Sequence, residues 1–240
     1  MNITKENTVA EVVTNNIKTA DVFKRHGIDF CCGGGITIEK ACAKNNISYE
    51  KLEKELLEIN NSTSKTYNYD SWKLDFLADH IVNIHHAYVE ESMPLLLQYA
   101  ERVAKVHGHH YTEVVEINRL FNIVAQELAA HMKKEELILF PFIKQLVKSD
   151  KEGIKVKTPH FGTVNNPIAM MEIEHENAGD ILKEIKQLSN DYTPPESACN
   201  TFKALYAKLD EFEQDLHQHI HLENNILFPK AIALEQKNSK

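Results

Sequence analysis

Two stretches of the chain share one pattern. HMKKEELILFP, starting at His131, and HIHLENNILFP, starting at His219, each place a glutamate four residues after a histidine and close on ILFP. On a helix, residues i and i+4 share a face, so each pair can offer one nitrogen and one carboxylate oxygen to the same point. Imidazole and carboxylate together suit a transition-metal ion. A single such pair is usually a solvated contact on a helix surface, so what decides its chemistry is whether it faces a core.

The elements that carry the pairs read as helices. Gly and Pro are few, and apolar residues recur at threes and fours rather than twos. Four long segments, roughly 71–107, 111–148, 165–190 and 194–236, are separated by HGHH, KSDKEGIKVKTPHFG and SNDYTPP, with Thr193 as a cap and Pro194 in the first turn of the last. On the second, a stripe runs Ile117, Leu120, Val124, Leu128, His131, Glu135, Ile138, Phe142, Leu146. On the fourth it runs Leu205, Leu209, Phe212, Leu216, His219, Glu223, Ile226. Both pairs therefore belong to core stripes. The third stripe contains His175. On the first, His85 and His86 compete on periodicity; if the chain repeats one hairpin, the spacing of 45 residues from His86 to His131 matches the 44 from His175 to His219 better than His85 does. The shared ILFP reads as packing and a helix end.

Four histidines and two glutamates facing a bundle core would cost several kcal/mol per unpaired charge, on the order expected for buried ions, unless a metal holds them. Two ions would each take two histidines, and bridging by Glu135 and Glu223 brings each to four protein ligands. That leaves positions for an oxide or hydroxide bridge and a small molecule. Such mixed ligation in a bundle fits di-iron; zinc would stop at one ion, while manganese accepts much of the same set. His217 and His221 read as surface groups or supports of the site, and His107, His109, His110 and His160 as solvated loop residues. His80 and His85 are candidate supports, Glu172 is a weaker ligand candidate, and Glu127 and Glu174 line a path or a salt-bridged surface.

A second motif is GIDFCCGGGITIEKAC at 27–42. A disulfide between the adjacent Cys31 and Cys32 would be strained, so two free thiols are expected. A helix start near Thr37 and local amides would favour thiolate, and Gly33, Gly34 and Gly35 would let the thiols approach a metal or a partner closely. Cys42 and Cys199 read as packing residues.

A net charge of −8 and the lack of a basic stripe argue against nucleic-acid binding. No apolar run approaches the length of a membrane span, the start MNITKENTVAEVV is unlike a secretion signal, and four cysteines make a poor disulfide framework; a cytoplasmic protein is expected. Residues 1–60 form a small helical domain, with helices at about 8–26 closed by Gly27, 37–46 opened by Thr37, and 48–59 opened by Ser48. Polar 61–70 is a linker, and 71–240 form an up-down-up-down four-helix bundle.

The CCGGG segment, HMKKEELILFPFIKQ, EIEHENAGDIL, TPPESAC and HLENNILFP together resemble, over nearly the whole chain, the repair of iron centres family, di-iron iron–sulfur cluster repair proteins with a hemerythrin-like domain. The resemblance implies an all-α fold and two iron ions on His86, His131, Glu135, His175, His219 and Glu223, settling His86 over His85. It places the family's vicinal cysteines on Cys31 and Cys32, as redox or iron-transfer thiols. It also implies restoration of clusters damaged by nitric oxide or oxidants through donation of iron, with damaged iron–sulfur proteins or an assembly scaffold as partners and a homodimer as one arrangement. Four histidines leave a position open on each iron for nitric oxide or dioxygen, unlike the five-histidine oxygen carriers. Nitric oxide reduction by the thiols and the di-iron centre, or sensing of either gas, are the alternatives.

Overall fold

The computed structural model describes residues 3–60 and 67–238; most of the expected linker, residues 61–66, lies outside the described residues. The described residues are helical throughout, apart from loops and one isolated bridge between Thr8 and Thr37.

Four short helices come first: α1 (Val9–Asn15), α2 (Thr19–Arg25), α3 (Ile38–Asn45) and α4 (Tyr49–Asn60). Thr8 opens α1 with a capping box to Glu11. The single helix expected over 8–26 is in fact two. Asn16 is extended, and its carbonyl takes both the amide and the hydroxyl of the buried Thr19, so the chain turns there. Gly27 closes α2 at φ +65°, where a side chain would be strained. Thr37 caps α3, and the Ser48 hydroxyl accepts from the Lys51 amide at the start of α4.

The bundle follows as four rods. The first joins α5 (Leu74–His80) to α6 (Ala87–His107) through a π-helical turn, Ile81–His86. The second joins α7 (Glu113–Lys134) to α8 (Phe140–Glu152) through the π-turn Glu135–Leu139, the third is the unbroken α9 (Asn165–Leu188), and the fourth joins α10 (Asn200–Leu222) to α11 (Phe228–Asn238) through the π-turn Glu223–Leu227. Each π-turn inserts one residue into the helix, a feature concentrated at functional sites. It also explains why ILFP does not end a helix. The amides of Phe140 and Phe228 reach back five residues to the carbonyls of Glu135 and Glu223, and the following Pro141 and Pro229 open the next helix, where a missing N–H costs little. The extra residue turns Leu139 into the core at 1% exposure and leaves Ile138, expected inside, at 39%.

The fourth rod starts later than expected, at Asn200 rather than 194, with Cys199 at its N-cap. Asn190, Asp191 and Tyr192 all adopt positive φ, and Pro195 disfavours helical backbone at Pro194, so the TPP run remains a turn. Tyr69, placed in the linker by sequence, is buried in a short 3-10 turn against Trp72.

The apolar core forms two clusters. One contains Val89, Leu128, Leu182 and Leu216; the other contains Ile81, Leu139, Met171 and Phe228. Between them in sequence on every rod stands a buried polar layer.

Candidate metal centre

That layer consists of His86, His131, Glu135, His175, His219 and Glu223, all buried. Their donor atoms fall into two groups, His86/Glu135/His219/Glu223 and His131/Glu135/His175/Glu223, with the atoms of each within 4.8 Å of one another. Both glutamates belong to both groups. The imidazoles face the carboxylates through Nε2: His219 lies 2.9 Å and His175 3.1 Å from Glu223, while His86 and His131 each lie 3.3 Å from Glu135.

Three of the four remaining ring nitrogens are held from behind. Carboxylates of Glu136 and Glu174 accept from Nδ1 of His86 (2.9 Å) and His131 (2.8 Å), and the Asn224 side-chain oxygen accepts from Nδ1 of His175 (2.8 Å). These partners fix the tautomer that leaves Nε2 directed at the layer, the arrangement that orients metal-binding histidines. The two hairpins repeat this scheme with different residues. Glu136 and Asn224 each follow the layer's glutamate, and Glu174 precedes His175 just as His85 precedes His86. His85 instead bonds Asp215 at 2.9 Å and stacks on His219, whose Nδ1 meets no hydrogen-bonding partner among the described residues.

Several buried atoms of the layer have no hydrogen-bond partner among the described residues, including both Glu135 oxygens, Glu223 Oε2 and His86 Nε2, while the Nε2 atoms of His131 and His175 lie 3.0 Å apart. Left so, each would carry a desolvation cost of about 1–3 kcal/mol or more. A cation with nitrogen and oxygen ligands would satisfy all of them, so this donor set fits a metal. Burial would lower the His131 pKa, but the Glu135 carboxylate and its neighbours raise it to about 9. Burial opposes ionisation of Glu135 and Glu223 too, yet the facing histidines hold both below the usual carboxylate range.

Other sequence candidates fall elsewhere. Glu127 and Glu172 are exposed and outside the layer, and His80 packs among Tyr69, Trp72 and His85. Cys199, expected to pack, is exposed and lies 3.2 Å from His107 Nε2. His221, expected near a surface or behind the site, is buried, and His217 half-buried, beneath Phe30 of the cysteine loop.

The cysteine loop is closed upon itself. The Asp29 carboxylate accepts from the amides of Cys31 (2.8 Å), Cys32 (3.2 Å) and Gly33 (2.8 Å), so these amides are not available to stabilise a thiolate. The adjoining Cys32 thiol, burial and Asp29 instead push the Cys31 thiol well above its usual range. The glycines serve the turn: a Cβ on Gly34 would stand 2.4 Å from the Phe30 carbonyl oxygen, whereas one on Gly35 would meet nothing within 4 Å. Gly34→Ala is therefore expected to destabilise the N-terminal helices by about 1–3 kcal/mol, the usual cost of overpacking. Gly35→Ala should be close to neutral, and limited proteolysis of residues 3–60 in the two variants compares them.

A helical bundle with a buried histidine–glutamate layer of this kind is a cation-binding protein of the hemerythrin type. The hemerythrin HHE cation binding domain matches residues 77–231, and a domain of unknown function, DUF542 (ScdA_N), matches residues 5–60. The iron-sulfur cluster repair protein YtfE of Yersinia pseudotuberculosis serotype IB (strain PB1/+) is 38% identical over 214 residues, 89% of this chain and 91% of that one. YtfE of Yersinia pestis (strain Pestoides F) is 37% identical over 218 residues, 91% and 93% of the two chains. The chain belongs to this family, the repair of iron centres proteins with a hemerythrin-like domain. Among the described residues, no helix is long and apolar enough to cross a membrane.

Proposed function

We propose that this protein is a cytoplasmic di-iron protein that restores iron–sulfur clusters damaged by nitric oxide or oxidants, donating iron from the buried layer. The observation that carries the reading is the pair of four-residue groups sharing Glu135 and Glu223. Two ions, each with two of the imidazoles and both carboxylates as ligands, would use every donor group in the layer. His86 and His219 would hold one and His131 and His175 the other, with Glu135 and Glu223 common to both. Iron supplies redox chemistry and an exchangeable cargo there. The protein's own residues do the rest: Glu136, Glu174 and Asn224 orient the imidazoles, and the two apolar clusters flank the layer. In this reading Cys31 and Cys32 are redox or transfer thiols, and residues 1–60 and 71–240 act as separate domains. The similarity to YtfE proteins named for iron–sulfur cluster repair supports the function.

The test starts from anaerobically purified protein. Metal analysis and Mössbauer spectra should give about two irons per chain in a coupled pair. Incubation with a nitric-oxide-treated [4Fe–4S] protein should then move iron to the recipient and restore its activity. Iron that stays in place while the recipient remains inactive would reject donation. A folded protein that takes up zinc alone would reject the di-iron reading.

A further inference from the structure

The two hairpins differ at one position in a way that the metal layer does not explain. Two residues beyond the layer's glutamate stand Leu137 in the first copy and Asn225 in the second. Leu137 is 72% exposed. Asn225, on the same kind of π-turn, is half-buried, and its Nδ2 lies 3.2 Å from both the Phe30 and the Cys31 carbonyl oxygens. We propose that Asn225 is a positioning residue that seats the cysteine loop on the bundle, donating from its side-chain amide to those two carbonyls from the π-turn that carries Glu223.

The surroundings of the loop support this assignment. The loop's amides are already engaged by Asp29, so the carbonyls are the groups it turns toward the bundle. Asn225 Nδ2 also lies 3.0 Å from His221 Nδ1, so the ring stands beside the amide in the same seam. The Phe30 ring meets the edges of His217 and His221 at centroid distances of 5.9 and 6.0 Å, which gives these two histidines a place in the seam. Packing there is incomplete, because a cleft of about 220 Å³ opens between Lys24, Phe30, Gln214 and His217. A partly open seam gives directional hydrogen bonds a large share in fixing the register of the loop. At the positions matching His217, His221 and Asn225, the first copy has Ala129, Lys133 and Leu137, which offer neither the rings nor the amide. One hairpin alone is thereby equipped to hold the loop.

The importance of this seat for repair rests on the role proposed for the thiols, but its test does not. In full-length, metal-loaded protein carrying Cys199→Ser to remove the exposed thiol, iodoacetamide labelling of Cys31 is followed by mass spectrometry. Asn225→Asp keeps the shape and replaces the donor with an acceptor facing two carbonyls. Asn225→Leu installs the residue that the first copy carries on its own π-turn. Both should raise the Cys31 labelling rate about tenfold, the scale expected for losing two hydrogen bonds that oppose local opening. Metal content and helix content should stay unchanged, and Leu137→Asn should label as the parent does. Parental labelling of Cys31 in both Asn225 variants would overturn the proposal, as would an equal rise in Leu137→Asn. Iron transfer measured on the same samples judges the role of the thiols separately.

Discussion

Glu135→Leu should empty both halves of the metal layer, whereas His85→Ala should leave the metal in place. Glu135 is common to both donor groups, and its two oxygens are buried without hydrogen-bonding partners among the described residues, so one substitution removes a ligand and a negative charge from each. The metal content should fall from about two per chain to below one, since each half would be left with two imidazoles and only a share of the single Glu223 carboxylate. His85 is as deeply buried, but it points its Nδ1 at Asp215 and belongs to neither group. Its loss should cost packing and leave about two metal ions bound. Folding stability gives a second readout. A ligand present at a thousand times its dissociation constant adds about 4 kcal/mol, and that increment should vanish in Glu135→Leu. Equal metal retention in the two variants would discredit the ligand assignment.

The residues of the layer were legible because a helix repeats nearly every fourth residue. A histidine and a glutamate in the middle of the stripe from Ile117 to Leu146 have to face the core, as both do. The stripe could not reveal the π-turns, since one extra residue changes a step of three into a step of four, and both steps occur in any helix. That ambiguity put Ile138 inside in place of Leu139, and it turned a proline after a register shift into an apparent helix end. His85 and His86 were ambiguous for a related reason. Both are buried, in the π-turn Ile81–His86; hairpin spacing favours His86, and the three-dimensional partners place His86 in the layer and His85 against Asp215.

The residues that hold the imidazoles from behind were partly visible. Glu174, next to His175, reads in the sequence as lining a path or a salt-bridged surface, and it bonds both Lys134 and His131; Glu136 and Asn224 look like surface residues in the sequence, and only the packing of one rod on another brings them to Nδ1 of His86 and His175. The cysteine loop was misread where local rules ignore a competitor. Free amides near a helix start do favour a thiolate, but Asp29, two residues before Cys31, takes them first. An aspartate at that distance from a glycine-rich turn was the available signal, because its side chain commonly binds amides just ahead of it.

Protein stripped of its metal should be most stable near pH 6.5 and weaken on both sides. On the alkaline side the cause is His131, held protonated by Glu135 at a pKa of about 9 against about 6.5 in the unfolded chain. The folded state binds the extra proton, so this contribution is complete below pH 6.5 and disappears as the pH rises through about 9. His86, raised in the same direction by Glu135 and its neighbours despite its burial, adds to that loss. On the acid side the cause is His221, which burial beneath Phe30 brings down to about 4. Here the unfolded chain binds the extra proton, so stability falls as the pH drops from about 6.5 towards 4. Glu135 and Glu223, whose pKa values are lowered, contribute stability above the ordinary carboxylate range that is lost as they protonate. Each limb should amount to roughly 3 kcal/mol, read from urea unfolding of the chelator-treated protein at about pH 4, 6.5 and 9. Restoring the metal should abolish the alkaline limb, because an ion on Nε2 of His131 replaces the proton whose loss produced it, and should leave the His221 limb, which lies under the cysteine loop. An alkaline limb of unchanged size in the metal-loaded protein would mean that His131 keeps its proton and is not a ligand.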